Sequence, residues 1–152
     1  MKWTPRLLRW ALNLYGPYLG AGIRVTYIDP NWREIVVKMK LRWFNRNIVG
    51  THFGGSLYAM VDPQMMLMLM KSLGSDYIVW DSAAEIVYLK PAKGEVSARF
   101  ILTEDELREI KAKTAEGAPY KPEFLIEIKD AEGAVVTRVK KVLYVRKKPQ
   151  AA

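Results

Sequence analysis

The feature that most constrains the fold is a long apolar stretch that begins at a pair of glycines. Residues 55–73 follow Gly54 and are apolar around nearly the whole circumference of a helix, and Gly74 then ends the pattern, as is typical of helix C-termini. A helix of this kind is buried on most sides. The rest of the 152-residue chain therefore has to supply a surface that surrounds it.

The start of the predicted helix carries the residues for a chemical site. The first N–H groups of a helix have no partner within it and lie at the positive end of its dipole, and glycine lets a ligand oxygen approach them. Asp62 lies seven residues after Gly55, about two turns along the same face. A carboxylate in so apolar a segment is costly unless it is paired or used. Together these residues predict a site that polarises a carbonyl group and activates a water molecule.

Each of these residues also has a purely structural interpretation. Gly54 and Gly55 would allow the helix to pack closely on a sheet. Asp62 would pair with a basic side chain, or accept a hydrogen bond beside Pro63. Because proline has no N–H to donate to the Ala59 carbonyl, Pro63 can also kink the helix at this point.

The segments on either side of this helix predict a sheet. Alternating, β-branched-rich patterns predict six strands over residues 22–28, 34–44, 77–89, 95–102, 124–130 and 134–146. The second strand is expected to place one row of side chains on a single face: Ile35, Val37, Met39, Leu41 and Trp43. Glu132 and Gly133 predict a hairpin between the last two strands. The whole pattern predicts an α+β fold in which a six-stranded antiparallel sheet wraps around one long apolar helix.

The remaining segments predict one short helix and one domain. Thr103 and Glu106 form a capping box for an inserted helix over residues 104–116. With no linker, repeat or low-complexity block in the sequence, we expect a single domain over residues 1–152, with a frayed tail at residues 147–152.

The N-terminus predicts an amphipathic helix within residues 1–19. Its apolar spacing is regular over residues 3–15, with a proline in the first turn and Gly16-Pro17 as the stop. We expect this helix to pack on the sheet or on a partner subunit. Its tryptophan and arginine side chains leave contact with a lipid surface as the alternative.

Composition excludes several kinds of site. The chain has no cysteine and a single histidine, His52, which rules out disulfides, thiolate metal sites and cysteine catalysis. We therefore expect no metal and no redox cofactor, and the cysteine content suits a cytoplasmic location. The formal net charge of +8 favours anionic partners, but nothing else points to nucleic acid. No segment is long and apolar enough to predict a membrane span.

The glycine motif resembles the hotdog-fold thioesterase superfamily, specifically the phenylacetate-pathway and human acyl-CoA thioesterase type. Members show an Asn, a Gly, a His-Gly-Gly at the helix start, an Asp or Glu seven residues after the second glycine, and a Pro-Ala-Lys-like turn after the next strand. The matching positions are Asn47, Gly50, Gly54-Gly55, Asp62 and Pro91-Ala92-Lys93. The resemblance covers about residues 20–146. The segment GTHFGGSLYAMVDP resembles more closely still an uncharacterised branch of the superfamily, a domain of unknown function.

The resemblance implies hydrolysis of acyl-CoA thioesters at sites shared between the subunits of a homodimer or tetramer. The N–H of Gly54, with Gly55 beside it, would polarise the thioester carbonyl, and Asp62 would act as general base or nucleophile. Asn47 would orient the water, although an asparagine in a loop is otherwise a turn residue. Basic side chains would hold the phosphates of coenzyme A at the pocket rim: Lys90, Lys93, Arg138 and Lys140.

Two positions differ from the family pattern. His52 lies one residue before the family's histidine, whose place is taken by Phe53, so it either assists catalysis or is a loop residue bonded to the backbone. The family's Ser or Thr on the next strand falls near Asp81, with Ser82 beside it. The displaced histidine and Pro63 favour the alternative function, a non-catalytic acyl-CoA or fatty-acyl binding protein on the same fold.

Overall fold

A six-stranded antiparallel sheet organises the computed structural model, which describes residues 3–149. The elements are α1 (Pro5–Leu14), α2 (Gly16–Ala21), β1 (Ile23–Ile28), β2 (Glu34–Lys40), α3 (Gly54–Ala59), α4 (Gln64–Leu73), β3 (Tyr77–Tyr88), β4 (Glu95–Ile101), α5 (Glu104–Lys113), β5 (Glu123–Asp130) and β6 (Val135–Lys147). The strands lie in the order β1-β2-β4-β5-β6-β3. Every neighbouring pair is antiparallel, which confirms the predicted sheet and the α+β class.

The core lies between the inner face of the sheet and the helical segment α3–α4. Buried positions alternate along the strands because successive side chains point to opposite faces. From the helical segment, Met60, Met65 and Met68 are at most 2% exposed and belong to the same apolar cluster. These methionines are therefore part of the core.

The central helix is interrupted, which corrects the predicted continuous helix over residues 55–73. α3 ends at Ala59 and α4 begins at Gln64. The N–H of Asp62 still donates to the Tyr58 carbonyl at 3.0 Å, but Pro63 has no N–H for the Ala59 carbonyl. Asp62 consequently lies in a turn between two helices instead of in the middle of one.

The second strand is shorter than predicted, and Trp43 does not join the core. β2 ends at Lys40, and the Asn45 side chain accepts a hydrogen bond from the Arg42 N–H at 2.6 Å and donates to the Lys40 carbonyl at 2.9 Å. This buried asparagine turns the chain away from the sheet, and Trp43 is 82% exposed. The predicted apolar row therefore stops at Met39.

The N-terminal region forms two helices, not one. Gly16 and Pro17 were expected to end the N-terminal helix. They instead begin α2, because proline fits the first turn of a helix. α1 lies along the outer edge of β1. There Asn13 bonds both backbone groups of Val25, at 2.8 and 3.0 Å, and Arg9 donates to the Thr26 carbonyl at 3.1 Å.

The other edge of the sheet is β3, and the described C-terminal residues lie beside it. Among the described residues β3 pairs only with β6, so its second side is unpaired. Lys147 ends β6 and the Lys148 N–H donates to the Asp76 carbonyl at 2.8 Å, so the predicted frayed tail is wrong at these two positions. Residues 150–152 of that tail, and residues 1 and 2 of the predicted N-terminal helix, lie outside the described residues.

Two local predictions are confirmed. Thr103 and Glu106 form a reciprocal capping box at the start of α5, which ends at Lys113. Gly133 has a φ of +84° in the turn between β5 and β6, a conformation that favours glycine.

Candidate active site

A cavity of about 580 Å³ opens where α3 begins. One wall is the loop that precedes α3, and another is the end of β3 with the turn that follows it. The residues that line it include Asn47, Thr51, His52, Gly54, Leu57 and residues 88–93. The fold thus brings the glycine motif and the Pro91-Ala92-Lys93 turn, which are far apart in the sequence, to one place.

The glycine pair forms the N-terminus of α3. No described residue accepts a hydrogen bond from the N–H of Gly54 or Gly55, so both donors are available. Space also favours glycine here, because a Cβ on Gly54 would lie 2.9 Å from Tyr88 Oη and a Cβ on Gly55 would lie 2.5 Å from the Phe53 ring. The Tyr88 hydroxyl donates to the Gly54 carbonyl at 3.1 Å. Open donors and close packing therefore occur together at this pair.

Asn47 lines the cavity, but its amide is engaged within its own loop. Its Oδ1 accepts from the N–H groups of Val49 and Thr51, at 3.1 and 3.0 Å. Its Nδ2 donates to Thr51 Oγ1 at 2.9 Å and to the His52 carbonyl at 3.3 Å. These contacts are those of a turn residue, and they fix the loop that forms the cavity wall.

His52 is a buried residue that joins two walls of the cavity. Its side-chain Nε2 lies 2.9 Å from the Gly94 carbonyl, and its backbone N–H donates to the Ala92 carbonyl at 2.9 Å. Burial lowers the pKa of the imidazole, and the bond to Gly94 offsets this only in part. The ring is therefore neutral at pH 7 with its proton on Nε2, since a carbonyl can only accept. Its contacts are with the backbone, as the loop interpretation expects.

Asp62 does not line this cavity and instead belongs to a second cluster. Its Oδ1 lies 3.1 Å from the Nζ of Lys141, whose side chain is completely buried. The same Nζ lies 2.8 Å from Asp81 Oδ1 on β3 and donates to the Tyr58 hydroxyl at 3.2 Å. Half of the Asp62 side chain (48%) remains exposed, and no described residue donates to its Oδ2. One carboxylate oxygen is thus fixed and the other is open.

Charge balance holds this second cluster together. Burial alone would lower the pKa of Lys141, but its bonds to Asp81, Asp62 and Tyr58 outweigh burial and raise that pKa above its ordinary value. For Asp81 burial is the larger effect, so its pKa is raised despite the contact with Lys141. Burial also raises the pKa of the Tyr58 hydroxyl. Lys141 is therefore a charged ammonium shared by two carboxylates.

Lys141 is a residue that the sequence analysis missed. It lies in a run of basic residues that suggests a solvated surface, and its neighbour Lys140 was the candidate instead. The available signal was strand alternation: Thr137, Val139, Leu143 and Val145 share its parity and are all buried. An inward lysine at that position needs a carboxylate partner, and the fold brings two, Asp81 from β3 and Asp62 from the turn between α3 and α4.

The four predicted phosphate-binding side chains lie in two places. Lys90 and Lys93 line the cavity, and Lys90 is paired with Asp130 at 2.7 Å. Arg138 and Lys140 lie on the outer face of β6, where they pair with glutamates at 3.2 and 2.9 Å. The structure therefore brings only the first two to the candidate site.

Within one chain, the cavity and the Asp62 cluster are separate. Asn47, His52 and Gly54 line the cavity, whereas Asp62 lies beyond α3, against β3 and β6. Among residues 3–149 no cluster of three or more carboxylate or imidazole groups could hold a metal ion. In the same part of the chain no helix has the length and apolar character to cross a membrane.

Comparison with known proteins decides the family. The family model described as a domain of unknown function, DUF4442, matches residues 4–145. The chain belongs to the DUF4442 family. This agrees with the branch that the motif around Gly54 resembles. No curated protein matches the DUF4442 chain.

Solved structures similar to this DUF4442 chain show its fold. A protein of unknown function from Pseudomonas aeruginosa, described as a probable thioesterase, is 17% identical with a TM-score of 0.82, over 97% of this chain and 98% of that one. A thioesterase from Haemophilus influenzae is 17% identical with a TM-score of 0.69, over 97% and 93%. A protein of unknown function from Chlorobaculum tepidum is 15% identical with a TM-score of 0.74, over 95% and 98%. The predicted hotdog fold is confirmed.

Proposed function

We propose that the protein hydrolyses acyl-CoA thioesters in an assembly in which one copy supplies the cavity and another supplies the carboxylate. The observation that carries this proposal is the state of Asp62, whose Oδ1 is held by a buried lysine while its Oδ2 is open. A carboxylate fixed in this way is suited to act on a water or a carbonyl carbon. The similar structures described as thioesterases support the same class of reaction.

Gly54 supplies the electrophilic side of the reaction. Its N–H opens α3 with no acceptor among the described residues and lies at the cavity wall. A thioester oxygen bound there gains negative charge as the carbonyl is attacked, and a backbone donor stabilises that charge. One such donor typically lowers the barrier by about 3 kcal/mol.

Asp62 supplies the nucleophilic side, by one of two routes. As a general base, its Oδ2 takes a proton from water while the hydroxide oxygen bonds to the carbonyl carbon; the C–S bond then breaks and the proton passes to the thiolate of coenzyme A. As a nucleophile, Oδ2 itself bonds to the carbonyl carbon and expels the thiolate, and water then hydrolyses the resulting anhydride. In both routes Lys141 positions the carboxylate, and both give a free acid and a thiol.

The separation of the two clusters supports the proposed assembly. Asp62 does not line the cavity of its own chain, so a second copy would be needed to bring a carboxylate to it. The unpaired side of β3 offers a contact surface, since exposed strand edges pair readily with other strands. Asp81, which faces Lys141, lies on that strand, so a β3–β3 contact would place one copy's Asp62 cluster close to the other copy. We propose a homodimer as the smallest active unit, with a tetramer as its extension.

The second candidate function is acyl-CoA binding without turnover. Two observations favour it: the Asp62 carboxylate already has an ion-pair partner, and the His52 ring is buried against Gly94 and not directed to a substrate. A binder of this kind would use the cavity beside Gly54 and leave the ester intact. It would show saturable binding of acyl-CoA with no release of thiol.

Thiol release by matched variants tests the proposal. Asp62→Asn and Asp81→Asn each remove one carboxylate from Lys141, but only Asp62 is placed to react. We expect wild type to release thiol from at least one of a panel of short, long and aromatic acyl-CoAs. Asp62→Asn should lower kcat/KM by about a thousandfold, and Asp81→Asn by less than about tenfold.

The other outcomes separate the candidates. An equal loss in both variants, with unchanged circular dichroism, would mean that the charge balance at Lys141 matters and the chemistry of Asp62 does not. Saturable binding without turnover in wild type would select the binding function. A monomer in light scattering that still turns over substrate would refute the shared site.

A further inference from the structure

A second cavity lies on the face of the sheet that points away from the core. It has a volume of about 490 Å³ and lies beside α2, on the outer side of β1 and β2. Four basic side chains from these strands and the following turn line it: Arg24, Lys38, Lys40 and Arg42. Glu95 of β4 is the one acidic residue among the described residues of the lining.

The strand register concentrates positive charge at this cavity. Arg24 lies directly opposite Lys38 in the β1–β2 pair, and both occupy outward positions. Like charges directly opposite each other in a sheet are destabilising unless something compensates them. The only described compensation is Glu95, whose two oxygens lie 3.0 Å from Lys38 Nζ and 3.6 Å from Lys40 Nζ. One carboxylate is thus shared by two lysines.

The two arginines are left without an acidic partner. Within residues 3–149 neither the Arg24 nor the Arg42 guanidinium makes an ion pair or a hydrogen bond. A guanidinium presents a planar fork of donors that matches a phosphate, and it remains charged at any physiological pH. Two such groups line one cavity together with two lysines, and this set of cations suits a dianionic group.

The lining of the cavity also has an apolar part. Leu19 of α2 and Phe44 of the turn after β2 both line it, and they are 47% and 45% exposed. Large apolar side chains this exposed, next to a cluster of cations, fit a ligand that is anionic at one end and apolar or aromatic at the other. We propose that this cavity binds a phosphate group attached to an apolar or aromatic moiety.

Two sources of such a phosphate fit the surroundings. The nucleotide end of coenzyme A would place an adenine near Phe44; this ring also lines a third cavity that reaches Asn47, so the two sites lie along one loop. A phospholipid headgroup is the other source, because α1, which packs on the edge of β1, exposes the apolar side chains of Trp10 and Leu14. Because the property measured is binding, the inference does not depend on hydrolysis.

Two binding arms and a matched pair of double variants test the proposal. The first arm is calorimetric titration with adenosine 3′,5′-bisphosphate. The second is co-sedimentation with phosphatidylcholine vesicles that contain or lack phosphatidylglycerol. Arg24→Gln/Arg42→Gln removes both unpaired guanidinium groups from the cavity. Arg108→Gln/Lys111→Gln removes the same charge from the exposed surface of α5 and serves as the control.

We expect wild type to bind at least one probe, and the cavity variant to bind it about tenfold or more weakly. The control should stay within about twofold of wild type. Arg24→Lys/Arg42→Lys, which keeps the charge and removes the fork, should lie between them. If the cavity variant binds the bisphosphate more weakly, the phosphate belongs to a nucleotide. If it binds the phosphatidylglycerol vesicles more weakly, the phosphate belongs to a lipid headgroup. No binding of either probe by wild type, or an equal loss in the cavity and control variants, overturns the proposal.

Discussion

Lys140 and Lys141 are neighbours in β6, and the sheet gives them opposite surroundings. Lys140 lies on the outer face, where its side chain is 45% exposed and pairs with Glu123 at 2.9 Å. Lys141 lies on the inner face, completely buried between Asp62 and Asp81. An exposed ion pair stabilises the fold only a little, because water already solvates both ions. A buried ammonium has no such alternative, so the two carboxylates that reach it are structurally required.

The same contrast separates the two faces of the whole sheet. On the outer face, pairs such as Arg99–Glu34 and Arg138–Glu127 join neighbouring strands in solvent. On the inner face, Lys141 is the one buried ammonium among the described residues, and it contacts Asp62, the carboxylate that we propose to react. Position relative to the sheet, and not the number of ion pairs, decides which charges are structurally required.

The largest expected difference is between Lys141→Met and Lys140→Met. Removing Lys141 leaves Asp62 and Asp81 close together with no cation, and we expect the free energy of unfolding to fall by about 2 kcal/mol. This is below the range for fully buried pairs, since both carboxylates keep some contact with solvent. Lys140→Met should leave the free energy of unfolding nearly unchanged. Urea denaturation followed by circular dichroism measures both free energies of unfolding. An equal loss in the two variants would mean that burial does not distinguish Lys141 from Lys140.

Alkaline pH provides a smaller and more specific test. Because the pKa of Lys141 is raised in the folded state, its contribution is complete below 10.5, the ordinary lysine value, and is lost as pH rises through the folded pKa. The difference in unfolding free energy between wild type and Lys141→Met should therefore be constant from about pH 7 to 10 and shrink above that range. A difference that stayed constant as the pH rose above 10.5 would mean that the ion pairs do not explain it.

The smallest effect is expected at the Arg99–Glu34 pair. Arg99 lowers the pKa of Glu34, but both side chains are at the surface. A double-mutant cycle with Glu34→Gln and Arg99→Gln should give a small coupling that disappears in about 1 M NaCl. The equivalent cycle for Lys141 and Asp62 should retain its coupling at that salt concentration, because buried pairs are screened less. Equal salt sensitivity in the two cycles would remove the distinction between the faces.

Much of the fold was predictable because it depends on local patterns. The alternation in β2 predicts that Ile35, Val37 and Met39 are buried, and the capping box predicts the start of α5. Trp43 fits the same alternation but is exposed, because the buried Asn45 turns the chain at a point where the pattern alone would continue. The helix break at Pro63 was visible as a missing donor, but the extent of the turn was not.

The site was predictable only in part because it depends on pairing between distant strands. The glycine motif and the Pro91-Ala92-Lys93 turn were identified from sequence, and the structure places both at one cavity. The contact of Asp81 with Lys141 depends on the register of β3 against β6, which shifts between Asp81 and Ala83. No local pattern encodes that shift, so the contact between Asp81 and Lys141 could not be predicted from the sequence.

The contacts of Arg9 and Asn13 with β1 have a consequence for growth of the sheet. They occupy backbone groups of Val25 and Thr26 that another strand would need, which closes one end of the described sheet. Only the β3 end can then be extended. Two copies joined there would have a closed edge at each outer end, so the joined sheet could not continue as a fibre, and a tetramer would have to form through another surface.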